Sequence, residues 1–451
     1  MQVHAATNDL FATAAPIRLS GATPQSHVAL RARIVDDDGV AWSGWAKFEV
    51  DSDGGVDTGR DAPLDGTYDG ADAGGLFWSM RPSTWADDQT RADYINTVQR
   101  DPTLPLQPTL DVLKPLTVTV SADASDGQIQ TTLTRRRLLP GTEVIDDLPG
   151  RLRGKAFIPP DANGAGVLVL GGSEGGLMPA RAASLSAEGF TTLALAYFDY
   201  EDLPTAAVDL PLAYLKEALD WLGDRTNKVA IWGVSRGSEA AVLVAHHFAS
   251  SVDGLIAWLP SPVANAAIDM AAGRHFADET RAMWSLGGTS LPGVALGRAS
   301  LTHATGTGDR YPGRAYAGAF AARWRESDVA ATLPVHQIDV PVLLVAGEDD
   351  QLWPAAYGAR ELAARLEREC PSVAVTLRVC PDAGHMIGVP NEIRPCSDVL
   401  CWPSGYNSSA AELAHYGGTP AGNAAAARST WRTAVDFLQE LLVVKPQESG
   451  P

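Results

Sequence analysis

The sequence is short of the features that mark secreted, metal-binding, nucleotide-binding and membrane proteins. Its 451 residues include only four cysteines, all between Cys370 and Cys401. Cysteines this few and this clustered cannot frame such a chain with disulfides, so free thiols are expected, with Cys396 and Cys401 close enough in sequence to bridge. No HExxH, paired CxxC or EF-hand loop is present, which removes the common metal sites. GGSEGG lacks GxGxxG spacing and a phosphate-loop lysine, which removes the nucleotide-cofactor classes. Neither a metal nor a cofactor is expected. No run of about 18 apolar residues occurs. The opening MQVHAATNDLFATAAPIRL also lacks the basic start and unbroken apolar stretch of a secretory signal. A cytoplasmic protein without a membrane partner is the expectation. Basic charge is scarce too, with 35 Lys and Arg against 54 Asp and Glu, a net charge of −19. Such a field repels phosphate backbones and anionic headgroups, so nucleic acid is not an expected partner. No internal repeat points to a solenoid.

What is present is an ordinary globular composition, 45% apolar and 20% charged, in a chain long enough to favour two domains. Over residues 1–145 the apolar pattern has a period near two, as in Val28, Leu30, Ala32 and Ile34 and again in Leu116, Val118 and Val120. Turn-rich stretches such as VDSDGGVDTGRD separate these half-buried strands, which predicts an all-β, immunoglobulin-like sandwich. Over 146–451 the texture changes to unbroken apolar runs, GVLVL, TTLALAY, KVAIWG, GLIAWL and VPVLLVAG, alternating with helical stretches such as AAVDLPLAYLKEALDWLG. Strands buried on both faces read this way, so the second part is predicted as α/β, a doubly wound, mostly parallel sheet of the α/β-hydrolase type. Residues 260–335 are rich in Gly and Pro and read as an insertion capping the pocket, with a set of ordinary surface helices as the alternative.

Gly233-Val234-Ser235-Arg236-Gly237 lies between the run VAIW and the helical SEAAVLVAHHFA, the setting of a nucleophile elbow. With 43 glycines in the chain the pattern alone is weak, and it occurs again at Gly171-Gly172-Ser173-Glu174-Gly175. Ser173 is followed by Glu174, Gly175, Gly176 and Pro179, which delay a helix, whereas good helix formers follow Ser235. Ser235 is therefore the predicted nucleophile. The GGSEGG loop is then predicted to bring bare backbone to the reacting carbonyl. The Ser173 N–H and the Arg236 N–H would form the oxyanion hole, and Gly172 and Glu174 would touch substrate. A serine needs a base, and His385, in the loop CPDAGHMIGVP after a strand-like run, is the candidate. His246 and His247, three turns along the helix after Ser235, read as packing residues. The acid that orients the base is predicted in GEDDQLWP after PVLLVA, with Asp350 the better fit and Asp349 the alternative. The chain order Ser, Asp, His is that of α/β hydrolases.

The ordered segments FEVDSDGGVDTGRDAPLDGTYDGADAGGLFWSMRP, VLGGSEGGLMPARAASLSAEGFTTLALAYFDYEDLP, WGVSRGSEAA, VAGEDDQLWP and DAGHMIG resemble the acyl-CoA thioesterase and bile acid-CoA:amino acid N-acyltransferase family across nearly the whole chain. The resemblance implies a β-sandwich before an α/β-hydrolase domain, and thioester cleavage with Ser235 as nucleophile, Asp350 as acid and His385 as base. Members that transfer the acyl group to an amino acid typically carry cysteine at the nucleophile position, so serine here favours water as acceptor. The substrate implied is a small acyl thioester, on coenzyme A or a carrier. Alternatives are acyl transfer to an amine, or ester, lactone or amide hydrolysis, with a non-catalytic binding protein as the contrasting reading. A coenzyme A leaving group carries phosphates, for which Arg236 and the run Arg135, Arg136 and Arg137 are the candidate ligands; for the run, solvated surface charge is the alternative.

Overall fold

A computed structural model describes residues 1–13, 15–86, 88–267, 281–295, 316–326, 329–402 and 412–442. The N-terminal part is built on a seven-stranded sheet. Its main path runs Asn8–Leu10, Gly127–Arg136, Leu116–Ala124, His27–Val35, Ala41–Glu49 and Asp65–Gly66, with Arg81–Pro82 also beside Ala41–Glu49. Burial alternates along His27–Val35 and Ala41–Glu49, as the period-two pattern requires. A small sheet of Gln2–His4, Arg18–Ser20 and Val56–Asp57 shares its core, so that Leu19 and Val56 pack with Leu30, Phe48 and Val120.

The all-β expectation needs two additions, the single helical turn Gly75–Trp78 and a longer helix. Arg91–Arg100 is a helix whose N-cap Thr90 accepts a hydrogen bond from the Asp93 N–H. Its Tyr94 stacks on Trp85 at 4.7 Å, and the pair shares a cluster with Cys396, Val399 and Leu413 from the second part of the chain. The arginine run is not a solvated patch. Arg135 is buried, donates to the carbonyls of Leu10, Phe11 and Thr13 and lies 4.1 Å from the Phe77 ring. Arg137 is also buried and pairs with Glu392 at 3.2 Å.

The sheet changes between Arg136 and Glu143. From there the second sheet comprises β1 Glu143–Ile145, β2 Arg153–Ile158, β3 Ala165–Leu170, β4 Thr191–Ala196, β5 Lys228–Val234, β6 Gly254–Trp258, β7 Val342–Gly347 and β8 Val375–Cys380. Their spatial order is β1-β2-β4-β3-β5-β6-β7-β8. β2 runs antiparallel to both its neighbours and all later pairs are parallel. This is the α/β-hydrolase topology. Every residue of β3, β4, β6 and β7 is buried, which is why these runs show no polar alternation. Helices α1 Pro179–Ser186, α2 Leu212–Gly223, α3 Arg236–His247, α4 Ala355–Glu369 and α5 Pro420–Leu442 connect and cover the strands. Arg181 of α1 and Trp431 of α5 both lie on the fully buried Trp232, so these two helices cover one face.

Strand order reverses at β3: the chain leaves it toward β4 on one side, and β5 lies on the other. The loops after β3 and β5 therefore diverge and open a crevice at the carboxyl ends of the strands. Of the expected cap, residues 268–280, 296–315 and 327–328 lie outside the described residues. In the remainder, Trp284–Leu286 pairs with Leu210–Pro211, and the helix Ala317–Arg325 places Trp324 against Trp353 at 5.5 Å. Among the described residues, Cys370, Cys380 and Cys396 are free thiols, and no helix is long and apolar enough to cross a membrane.

Candidate active site

Ser235 sits between β5 and α3 with φ +54° and ψ −119°, a conformation a non-glycine residue holds only when its surroundings impose it. The glycines on either side explain how. A Cβ on Gly233 would stand 2.1 Å from the Gly237 carbonyl oxygen, and one on Gly237 would stand 2.2 Å from that of Gly171. The turn is thus closed on itself and pressed against the loop after β3. Helix α3 begins at once with Arg236, so its free N–H groups and the positive end of its dipole face the serine.

His385 Nε2 lies 3.0 Å from Ser235 Oγ, and its Nδ1 lies 2.7 Å from Asp350 Oδ2. The other carboxylate oxygen, Oδ1, accepts from the N–H groups of Leu352 at 3.0 Å and Trp353 at 3.2 Å. All three side chains are buried. Burial pushes the Asp350 pKa up, and the neighbouring His385 and the two N–H donors pull against it. Asp349 turns elsewhere, accepting from the Gln351 amide and the Gly418 N–H.

The loops carrying Asp350 and His385 are braced by a segment that sequence reasoning missed, Tyr416-Gly417-Gly418. The His385 N–H donates to the Tyr416 carbonyl at 2.7 Å, Asp350 bridges to Gly417, and Ala383 bridges to Gly418. A Cβ on Gly384 would stand 2.1 Å from the Gly417 carbonyl, and Gly417 and Gly418 hold φ +75° and +70°, so bare backbone is required here. Asn423 accepts from the Gly384 N–H at 2.8 Å. The glycine pair in HYGGTP was a visible turn signal, but nothing in it named a partner.

The GGSEGG loop passes against Ser235. A Cβ on Gly172 would stand 3.1 Å from the Ser235 Cβ and 2.8 Å from Glu174 Oε2. Gly175 and Gly176 both hold φ +68°, and the following helix starts only at Pro179. Tyr197 holds the loop from below, its hydroxyl lying 2.8 Å from the Gly171 carbonyl oxygen and 3.0 Å from that of Gly172. Burial raises its pKa, so it stays a donor. Tyr197 was not foreseen as a functional residue, although its segment, ALAYFDYEDLP, stood out.

Gly171, Gly172, Glu174 and Val234 line a cavity of about 360 Å³ whose opposite wall comes from the N-terminal domain, including Phe11, Leu110, Val112 and Arg137. None of the described residues of 260–335 lines this cavity. The Arg236 side chain is not the phosphate ligand that the sequence suggested. It is buried, paired with Glu239 at 2.9 Å and bonded to the carbonyls of Asn265 and Ala266. Glu239 in turn accepts from Asn265 and Trp284, which ties the start of α3 to the chain beyond β6. His246 is buried and stacks edge-on with His247 and His336 at 4.7 and 4.5 Å. Among the described residues no cluster of His, Cys, Asp and Glu could hold a metal ion.

Sheet order, elbow and the loops that meet at it define an α/β hydrolase. Residues 13–146 match the N-terminal region of the acyl-CoA thioester hydrolase/BAAT family and residues 210–444 its C-terminal region, and the chain belongs to that family. Human mitochondrial acyl-coenzyme A thioesterase 2 is 28% identical over 441 residues, covering 95% of this chain and 81% of its own. Human acyl-coenzyme A thioesterase 1 is 27% identical, covering 95% and 93%. Among solved structures, MGS-M1, an α/β hydrolase from a deep-sea metagenome library, aligns with 68% of this chain and all of its own at 12% identity and a TM-score of 0.37.

Proposed function

We propose that the protein hydrolyses an acyl thioester, with coenzyme A or a related thiol as leaving group, through an acyl-serine intermediate. The observation that carries this reading is the hydrogen-bonded chain from Ser235 Oγ through His385 to Asp350, 3.0 and 2.7 Å long, inside a family of acyl-CoA thioester hydrolases. His385 takes the proton of Ser235 as the hydroxyl adds to the thioester carbonyl, and Asp350 fixes the ring tautomer and stabilises the imidazolium. The N–H groups of Ser173 and Arg236 bind the oxyanion. Gly172, by lacking a side chain, leaves room for the carbonyl beside Ser235, and Glu174 borders the bound acyl group. The thiolate leaves and is protonated from His385. Water, activated by the same imidazole, then cleaves the acyl-serine ester.

Serine at the nucleophile position supports water over an amine, because its ester is open to hydrolysis once His385 activates a water. The reading includes a cytoplasmic location, a small-molecule substrate, no cofactor, and no nucleic-acid or membrane partner. Product analysis with acyl-CoA, with and without added amino acids, tests it. Free thiol and free acid are expected in equal amounts whether or not amines are present. Amide product would assign acyl transfer instead, and cleavage of simple esters without any thiol release from thioesters would refute the proposal.

A further inference from the structure

The chain that leaves His385 does not stay in the hydrolase domain. Residues 386–398 run across to the sandwich domain and return, and each stage is tied down. At the start, the Ile387 carbonyl accepts from the Trp258 indole at 2.9 Å, which fixes the exit of the His385 loop to the end of β6. On the far side, the Asn391 amide donates to the Phe11 carbonyl at 2.9 Å, Glu392 pairs with Arg137 at 3.2 Å, and Ile393 packs in the sandwich core. On the return, Arg91 takes over. This first residue of the helix Arg91–Arg100 donates through Nε to the Pro395 carbonyl at 3.1 Å, and its Nη2 pairs with the buried Asp398 carboxylate.

Asp398 is where this excursion meets the site again. Its carbonyl accepts from the N–H groups of Tyr416 at 2.7 Å and Gly417 at 3.2 Å. Those residues hold the loops of the triad, since the Tyr416 carbonyl accepts from the His385 N–H at 2.7 Å and Gly417 bridges to Asp350. A parallel route runs through Asn423, which donates to Ser397 Oγ at 2.9 Å and accepts from the Gly384 N–H at 2.8 Å. Two backbone hydrogen bonds therefore separate the residue that Arg91 grips from His385 itself. A misplacement of about 1 Å at a reacting group can cost about 10²-fold in rate, so the loop that carries a general base gains from such bracing. We infer that the sandwich domain positions His385 for proton transfer, with Arg91 the positioning residue that acts through Asp398 and Tyr416. This deepens the proposed function and rests on its reading of Ser235, His385 and Asp350 as a triad.

Neither Arg91 nor Asp398 lines the cavity beside Gly172, so replacing them leaves the contacts of a bound substrate there alone. The test measures kcat and KM for acyl-CoA hydrolysis, the rate of fluorophosphonate labelling, and Tm, in the wild type, Arg91→Ala, Arg91→Lys and Asp398→Asn. In Arg91→Ala, kcat and the labelling rate should both fall by about tenfold, a fraction of the cost of a 1 Å misplacement. KM should stay within about twofold, because the change acts on the chemical step and not on binding. Arg91→Lys keeps the charge and should recover part of both rates. If Arg91→Ala does not fold, Asp398→Asn, equal in shape and without the charge, carries the same expectation. A KM that shifts while kcat holds, an unchanged labelling rate, or a lowered Tm with both rates intact overturns the inference. Labelling needs no thioester, which separates this inference from the reading beneath it. If acyl-CoA is not cleaved while labelling slows in Arg91→Ala, the thioesterase reading fails and the positioning role stands. If acyl-CoA is cleaved and no variant slows labelling, the thioesterase reading stands and the positioning role falls.

Discussion

Gly171 to Gly175 and Gly233 to Gly237 share the pattern GxSxG, and each comes after a buried parallel strand, yet they fold in opposite ways. After β5 the helix starts beside the serine, the flanking glycines close on each other, and the hydroxyl is held 3.0 Å from His385. After β3 two glycines at φ +68° carry the chain past the elbow, and the helix waits until Pro179. The two motifs also need each other, since a side chain on Gly237 would strike the Gly171 carbonyl at 2.2 Å. The difference lies in the residues after the serine. A residue able to continue a helix turns the pattern into an elbow, and a run of glycine and proline turns it into a wall.

Breaking the elbow should cost most. Ser235→Ala removes the atom proposed to accept the acyl group, and kcat for thioester hydrolysis should fall by about 10⁴-fold or more. Covalent labelling by a fluorophosphonate probe should vanish with it, and a variant that kept its labelling would reassign the nucleophile. Asp350→Asn keeps the shape of the site but presents an amide N–H or a weaker acceptor to His385 Nδ1, so the ring loses its productive tautomer. A drop approaching 10⁴-fold in kcat with little change in KM is expected, the size seen when a triad aspartate becomes asparagine. An effect below about tenfold, far short of that size, would point to another acid, with Asp349 the first to examine.

Sharpening the comparison means loosening the wall without touching the elbow. Tyr197→Phe deletes the hydroxyl 2.8 Å from the Gly171 carbonyl oxygen and 3.0 Å from that of Gly172, leaving the Ser173 N–H less firmly placed. Its effect should stay below the 10²- to 10³-fold loss of deleting an oxyanion donor, about tenfold in kcat. KM should stay within about twofold, because an interaction made only in the transition state lowers kcat alone. An equal change in KM and a lowered Tm would instead mark Tyr197 as a packing residue.

Much of this was legible before any coordinates. Periodicity separated the two domains because strands covered on one face alternate, as His27–Val35 does, while strands covered on both faces, such as β3 and β7, do not. Ser235, His385 and Asp350 were chosen because each stands where a strand ends and a loop begins. The residues that hold those loops were not legible. Tyr197 and Asn423 act across 26 and 39 positions of sequence, and Tyr416 meets His385 through its backbone carbonyl and an edge-on ring contact at 5.7 Å. No residue-type pattern encodes such contacts. The arginines misled for a related reason, since charge in a sequence gives no sign of burial, and Arg135 and Arg236 are spent on carbonyls and a glutamate. Helix Arg91–Arg100 was hidden by the turn-rich residues around it, with Thr90 as a cap the one clear signal.

The smallest expected effect is the most discriminating one. If Ser173 serves through its N–H, its side chain is dispensable, and Ser173→Ala keeps the backbone donor while removing the second hydroxyl of the site. Loop geometry should persist, because it depends on Gly175, Gly176 and the hydroxyl of Tyr197 rather than on Ser173 Oγ. Activity is therefore expected within about twofold of wild type, the scale of a surface substitution away from any buried network, with probe labelling intact. A loss comparable to that of Ser235→Ala would mean that the hydroxyl after β3 takes part in the chemistry and that the two motifs are not wall and elbow but partners. The double variant decides between these: with Ser235 already replaced, a dispensable Ser173 adds nothing further, whereas a second nucleophile would remove whatever labelling remained.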